Sequence, residues 1–221
     1  MKKEKIILLF SDIEGTLVDE EIGSLNQDNI KKFLNEIVKL QELTDSKVAF
    51  HLVSPLSLKD MEKLMDEINS IIAKYNVNRN NNLINKIECS VAYPEDDTSS
   101  EKFLSDRIFR FEFSKSDSLD DGRYGKRKYV KSWIDTYKES ETKDLIMALY
   151  CGNGLNDIDA MQYVLNQDSS FVICPSNSRE EVKKIASFLS DKNDILGISD
   201  GLNKINERIY QKKKSRDEIL R

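Results

Sequence analysis

Residues 6–16 read Ile6-Ile7-Leu8-Leu9-Phe10-Ser11-Asp12-Ile13-Glu14-Gly15-Thr16. The unbroken apolar run from Ile6 to Phe10 fits a β-strand buried on both faces, as in a parallel sheet. It then gives way to two acids one residue apart, a glycine and a threonine. In open parallel sheets the ligand crevice lies at the carboxyl ends of the strands, so this spacing puts both carboxylates at the working edge. Gly15 lets backbone N–H groups turn toward an anion.

Outward from this strand, elements alternate. Ile30, Phe33, Leu34, Ile37 and Leu40 recur at helical spacing. Val48 to Val53 is a second apolar run. Ser57 followed by Asp60 suggests a capping box, and Leu58, Met61, Leu64, Met65, Ile68, Ile71 and Ile72 mark the core face of the helix it opens. Farther on, Val130, Trp133, Ile134 and Tyr137 share a helix face, and Leu145 to Tyr150 reads as a strand. Ile158, Met161, Val164 and Leu165 mark another helix, Phe171 to Cys174 a short strand, and Val182, Ile185, Ala186 and Leu189 a further helix. Strands and helices in alternation predict an α/β fold, a Rossmann-like parallel sheet with helices on both faces.

The texture changes after Tyr75. Residues 76–82 are polar and turn-like, and in Arg107 to Phe113 the aromatics Phe109, Phe111 and Phe113 alternate with Arg110 and Glu112, a strand with one wet face. Asp117 to Gly122 reads as a loop, and Asp96, Asp97, Asp120 and Asp121 as solvated carboxylates. The expected organisation is a core domain of residues 1–75 and 124–221 with a small α+β or β insertion, a reduced cap, at 76–123.

Composition narrows the function classes. Of 221 residues 39% are hydrophobic and 33% charged, the balance of a globular chain and not of a disordered one. A net charge of −5 gives no electrostatic footprint for nucleic acid or an anionic membrane. Lys212-Lys213-Lys214 reads as a solvated helix end. The apolar start is too short for an export signal or a span. Cys151 and Cys174 lie in apolar runs, and with Cys89 the cysteine count is odd, which suggests buried thiols in a reducing, cytoplasmic setting. His51, inside an apolar strand, reads as a core histidine, and Trp133 as packing.

Three strands end in polar residues: Ser11 to Thr16, Val53-Ser54-Pro55, and Cys151-Gly152-Asn153-Gly154-Leu155-Asn156-Asp157. Converging carboxylates repel, and the usual resolution is a hard divalent cation on oxygen ligands, Mg²⁺ where phosphate also binds. Asp12 is placed to attack phosphorus, and Glu14 to give and later take a proton. Each piece also has a plainer reading: Asp12 a turn cap, GNGLND a helix N-cap loop, Ser54 an ordinary residue before proline.

Taken in order, DIEGT at 12–16, Ser54-Pro55, a lysine after the insertion and GNGLNDIDAM at 152–161 resemble the haloacid dehalogenase-like (HAD) superfamily. FVICPSNSREEVKKIASFLS at 171–190 with GISDGL at 197–202 is similar to the end of its Cof-type branch. The resemblance covers most of 5–75 and 126–210. It implies a Mg²⁺-dependent phosphatase acting on a small phosphorylated metabolite, such as a sugar phosphate, through an aspartyl phosphate. Asp12 would be nucleophile and metal ligand. Glu14 would be general acid/base with its main-chain carbonyl on the metal. Thr16 would brace the loop. Ser54, Asn156 and a lysine would serve the phosphoryl group, the lysine being Lys126 by helix register or else Lys128. Asn153 and Asp157 would serve the metal.

Two residues depart from the family pattern, which has Asp at both positions. Glu14 is shared with the enolase-phosphatase branch. Asn153 carries no charge, so metal affinity falls unless Asp157 moves toward the ion. The alternatives are a phosphate- or sugar-phosphate-binding relative without turnover, and a phosphomutase. The short stretch between Ser54 and Lys126 implies an open site, which either takes a bulky substrate or borrows a lid from a second copy in a homo-oligomer.

Overall fold

The computed structural model describes residues 2–18, 25–54, 58–78, 88–93, 108–112 and 126–219. The opening run forms β1 (Glu4–Ser11) at the middle of the sheet. It pairs in parallel with β2 (Lys47–Ser54) on one side and β5 (Lys143–Cys151) on the other. β3 (Glu88–Tyr93) and β4 (Ile108–Glu112) extend the sheet beyond β2, and β6 (Phe171–Cys174) and β7 (Phe188–Leu189) extend it beyond β5. The order is β4-β3-β2-β1-β5-β6-β7, with every pairing parallel.

Alternation along β1 sends its side chains to two cores. Ile7 and Leu9 face α1 (Gln27–Thr44), α2 (Leu58–Asn78) and α6 (Asp194–Ile219). Ile6, Leu8 and Phe10 face α3 (Arg127–Lys138), α4 (Ile158–Leu165) and α5 (Glu180–Lys183). This is the expected α/β sheet with helices on both faces. The expected apolar positions of α1 are all buried, and Asn26 caps the helix by accepting from the N–H groups of Asp28 and Asn29. No described helix is long and apolar enough to cross a membrane.

Other expectations need amending. β3 and β4 fall inside the stretch read as a cap or insertion, yet both pair into the main sheet. Residues 76–78, read as turn-like, continue α2; the rest of that stretch, with the loop at 117–122 and the acids at 96–97 and 120–121, lies outside the described residues, as does the Ser57 cap. The helix expected through Leu189 stops at Lys183, because Ser187 N–H donates to the Val172 carbonyl and Phe188-Leu189 pair with β6. A sheet edge there outcompetes the helical period. Leu165, expected on a core face, is exposed at the end of α4.

His51 is buried, its Nδ1 3.0 Å from the Tyr129 hydroxyl and its ring stacked on Phe10. Burial pulls its pKa down to about 3, so it is a neutral core histidine. Cys151 and Cys174 are buried free thiols.

α6 lies close on β6. A Cβ at Gly201 would sit 2.3 Å from Cγ2 of Ile173. Gly201→Ala improves helix propensity, yet it is expected to destabilise by about 1–3 kcal/mol through overpacking. Urea unfolding checks this as a lower midpoint at unchanged slope.

Candidate active site

In this strand order the chain winds from β1 toward β2 and returns to place β5 on the opposite flank. The loops after β1 and β5 therefore diverge and open a crevice between them, the topological switch point of the sheet. Asp12 follows β1 there. Its backbone N–H still donates to the Cys151 carbonyl at 2.9 Å, which ties the two strand ends together.

Lys126, just ahead of α3, sends its buried side chain into this crevice. Its Nζ lies 2.5 Å from Asp12 Oδ1 and 2.8 Å from Asp157 Oδ1. Lys128 is exposed, so geometry selects Lys126. The Lys126 backbone N–H donates to Asp159 Oδ1, which also accepts from the Ala160 N–H and thereby links the starts of α3 and α4.

Asp157 is fully buried and fully engaged. Its Oδ1 accepts from the Tyr150 hydroxyl at 2.7 Å and faces Lys126. Its Oδ2 accepts from the N–H groups of Asn153 at 3.2 Å and Gly154 at 2.9 Å. Two carboxylate oxygens offer about four acceptor positions, and four donors occupy them. In this arrangement Asp157 holds the GNGLND turn and the Lys126 ammonium.

The turn after β1 is bonded to itself: the Thr16, Leu17 and Val18 N–H groups all reach the Ile13 carbonyl, and Gly15, at φ 68°, donates to Val18. A positive φ of this kind suits glycine. Thr16 Oγ1 donates to Asn153 Oδ1 at 3.3 Å and so joins the two loops, consistent with its expected bracing role. The Glu14 side chain is exposed and Asn156 half-buried. Ser54 ends β2 at the same sheet edge, buried.

Electrostatically the site is short of positive charge, with two buried carboxylates facing one ammonium. Burial pushes the Asp12 carboxyl up to about 7, against the pull of Lys126 and with the help of the Asp157 charge. Burial alone would pull Lys126 down, but the two carboxylates outweigh it and its pKa is raised.

Among the described residues no three His, Cys, Asp or Glu side chains gather so as to hold a metal. The candidates that remain are oxygens: the Asp12 carboxylate, the Glu14 main-chain carbonyl and the Asn153 amide. A single carboxylate with neutral oxygens and water is a set that Mg²⁺ accepts, and a divalent cation would supply the missing charge.

The sequence reading gave no role to Tyr150, Asp159 or Asn177, whose side-chain amide donates to the Gly15 carbonyl at 2.9 Å. Asp159 lay inside a quoted motif. Tyr150 looked like any buried strand residue, although a hydroxyl on a core strand needs a partner.

No family model matches the chain, and no curated protein matches it. Among solved structures, a cobalt-bound deoxy-D-mannose-octulosonate 8-phosphate phosphatase from Haemophilus influenzae is 12% identical over 92% of this chain and 86% of its own, with a TM-score of 0.47. A 3-deoxy-D-manno-octulosonate 8-phosphate phosphatase from Moraxella catarrhalis, in complex with magnesium, phosphate and KDO, is 15% identical over 96% of this chain and 90% of its own, with a TM-score of 0.46. At these identities and scores the likenesses carry no weight for the chemistry, which rests on the site's own geometry.

Proposed function

We propose that this chain is a phosphomonoester hydrolase of the HAD type, working through an aspartyl phosphate on Asp12. The single observation that carries the reading is the buried Asp12–Lys126–Asp157 cluster at the switch point of a parallel sheet. A purely structural ion pair gains little from burial at a ligand crevice, where desolvation opposes it. A nucleophile beside a fixed cation is what phosphoryl transfer needs.

Asp12 attacks phosphorus, a P–O(Asp) bond forms, and the ester P–O bond breaks. Glu14, exposed at the mouth, gives its proton to the departing alkoxide. It then takes one from the water that cleaves the acyl phosphate, which returns inorganic phosphate and free Asp12. Lys126 faces the charge that develops on the phosphoryl oxygens, and Ser54 and Asn156 bond the same group. Asp12, the Glu14 carbonyl and Asn153 would hold Mg²⁺, which when bound adds charge neutralisation. The substrate class is a small phosphorylated metabolite, sugar phosphates included. The reading stays at the level of the superfamily and does not extend to the Cof-type branch.

The test is hydrolysis of para-nitrophenyl phosphate with Mg²⁺, Mn²⁺ or Co²⁺. Labelled water distinguishes release of phosphate from a mutase that returns the group to substrate. The neutral Asn153 favours one second reading, a binding protein without turnover. Asn153→Asp is expected to lower the Mg²⁺ concentration for half-activation by about tenfold. An inactive wild type made active by Asn153→Asp would establish the binding reading instead.

A further inference from the structure

The turn after β6 has no part in the chemistry above, yet it touches both loops that do. Ser178 Oγ donates to the Gly152 carbonyl at 3.5 Å, and the Arg179 N–H donates to the Asn153 carbonyl at 3.0 Å. On the other side Asn177 Nδ2 donates to the Gly15 carbonyl at 2.9 Å and to Asp194 Oδ1 at 2.9 Å, while its Oδ1 accepts from the Asp194 N–H at 3.2 Å. Both ends of the amide are engaged, so its orientation is fixed: a flipped amide would set Nδ2 against the Asp194 N–H and Oδ1 against two acceptors. Asp194 is itself held at φ 47°, left-handed for a residue that is not glycine, at the start of α6. Such a conformation persists where its surroundings over-determine it.

The bond to Gly15 matters because of where it lands. Gly15 stands at φ 68° directly after Glu14. A glycine has little intrinsic preference between alternative backbone states, so the peptide joining residues 15 and 16 is set by its partners: its N–H bonds the Ile13 carbonyl inside the turn, and its carbonyl takes an outside partner. Asn177 is that partner for the carbonyl, as Asn153 is for the neighbouring Thr16 side chain.

We propose that Asn177 is a positioning residue for Glu14. Through the Gly15 carbonyl it fixes the 14–16 turn, and with it the direction from which Glu14 delivers a proton to the leaving group. The proposal rests on the phosphatase reading. Its signature lies in the leaving group. An alkyl ester departs as a strongly basic alkoxide that must be protonated, whereas para-nitrophenolate departs with little help.

Asn177→Ala is therefore expected to lower kcat/KM, which reports the steps through ester cleavage and not the later hydrolysis of the acyl phosphate, on glycerol 3-phosphate by roughly tenfold or more. On para-nitrophenyl phosphate it should stay within about twofold. Asn177→Asp, which sets a carboxylate against the Gly15 carbonyl and Asp194, should behave the same way. Amide hydrogen exchange of the wild type and both variants is measured alongside, and exchange should speed up at residues 14–18 while β1 stays protected. An equal fall in kcat/KM on both esters, or unchanged exchange at 14–18, would overturn the proposal while the phosphatase reading stands. A wild type that hydrolyses neither ester would overturn the phosphatase reading and this role with it. The exchange data would then still report whether Asn177 secures the turn.

Discussion

Lys126→Met is expected to abolish turnover and to cost about 3–5 kcal/mol of stability at pH 8. Methionine fills a similar volume but leaves Asp12 and Asp157 buried without the ammonium they share. Breaking a buried ion pair from one side is far worse than removing it whole, because the stranded charges stay desolvated. The loss should depend on pH. Burial already pushes Asp12 up to about 7, and without Lys126 it rises further. At pH 5 the carboxyl escapes the cost by taking up a proton, so the deficit shrinks; at pH 8 it is charged and the deficit is full. Urea denaturation at the two pH values checks this, and equal deficits would contradict it. Lys128→Met is the control. Lys128 is exposed, so its loss should shift stability by less than about 0.5 kcal/mol and leave turnover near wild type.

Asp12→Asn should separate activity from stability. Turnover falls by at least about a thousandfold, since an amide makes a poor nucleophile and forms no acyl phosphate. Stability moves the other way. The folded pKa of about 7 lies above the ordinary 3.8, so between those values the native protein holds a proton the unfolded chain has released. The contribution of Asp12 to native stability is thus greatest below pH 3.8, declines as pH rises toward 7, and stays at its reduced level above. Asparagine removes that decline and still accepts from Lys126. The variant should match wild type near pH 4 and exceed it at pH 8 by on the order of a few kcal/mol, measured in chelator without phosphate. A variant less stable than wild type at pH 8 would mean that the Asp12 charge supports the fold.

The pattern of strands was legible because buried parallel strands are written as apolar runs, and Ile6–Phe10 and Phe171–Cys174 could hardly be anything else. α1 was legible for the same reason at a different period. Val182 to Leu189 misled because apolar residues at helical spacing also suit a short turn followed by an edge strand, and pairing with β6 decided between them. Local sequence carries no trace of that pairing. The site was readable where its residues sit in turns: Thr16 bonds Asn153 across the two loops, and the Asp12 N–H bonds the last carbonyl of β5. Lys126 was separable from Lys128 only by helix register, through Val130 and Trp133; in the structure Val130 is buried, Trp133 half-buried, Lys126 buried and Lys128 exposed. A motif names a residue but not the donors around it, and the Tyr150 hydroxyl and two backbone N–H groups that bond the Asp157 oxygens were not legible in GNGLND. Asn177 was invisible in the same way, since its bond to Gly15 spans most of the chain.

The most direct measurement is to find where the phosphoryl group goes. Wild-type protein turning over a phosphomonoester with Mg²⁺ is quenched in acid, reduced with borohydride and digested, and the peptides are weighed. An acyl phosphate on Asp12 is reduced to homoserine, so the tryptic peptide spanning residues 6–31 should carry that change at position 12, and only when substrate was present. Steady turnover with Asp12 unmodified, or with the mark on another side chain, would contradict the assignment of Asp12 as the nucleophile.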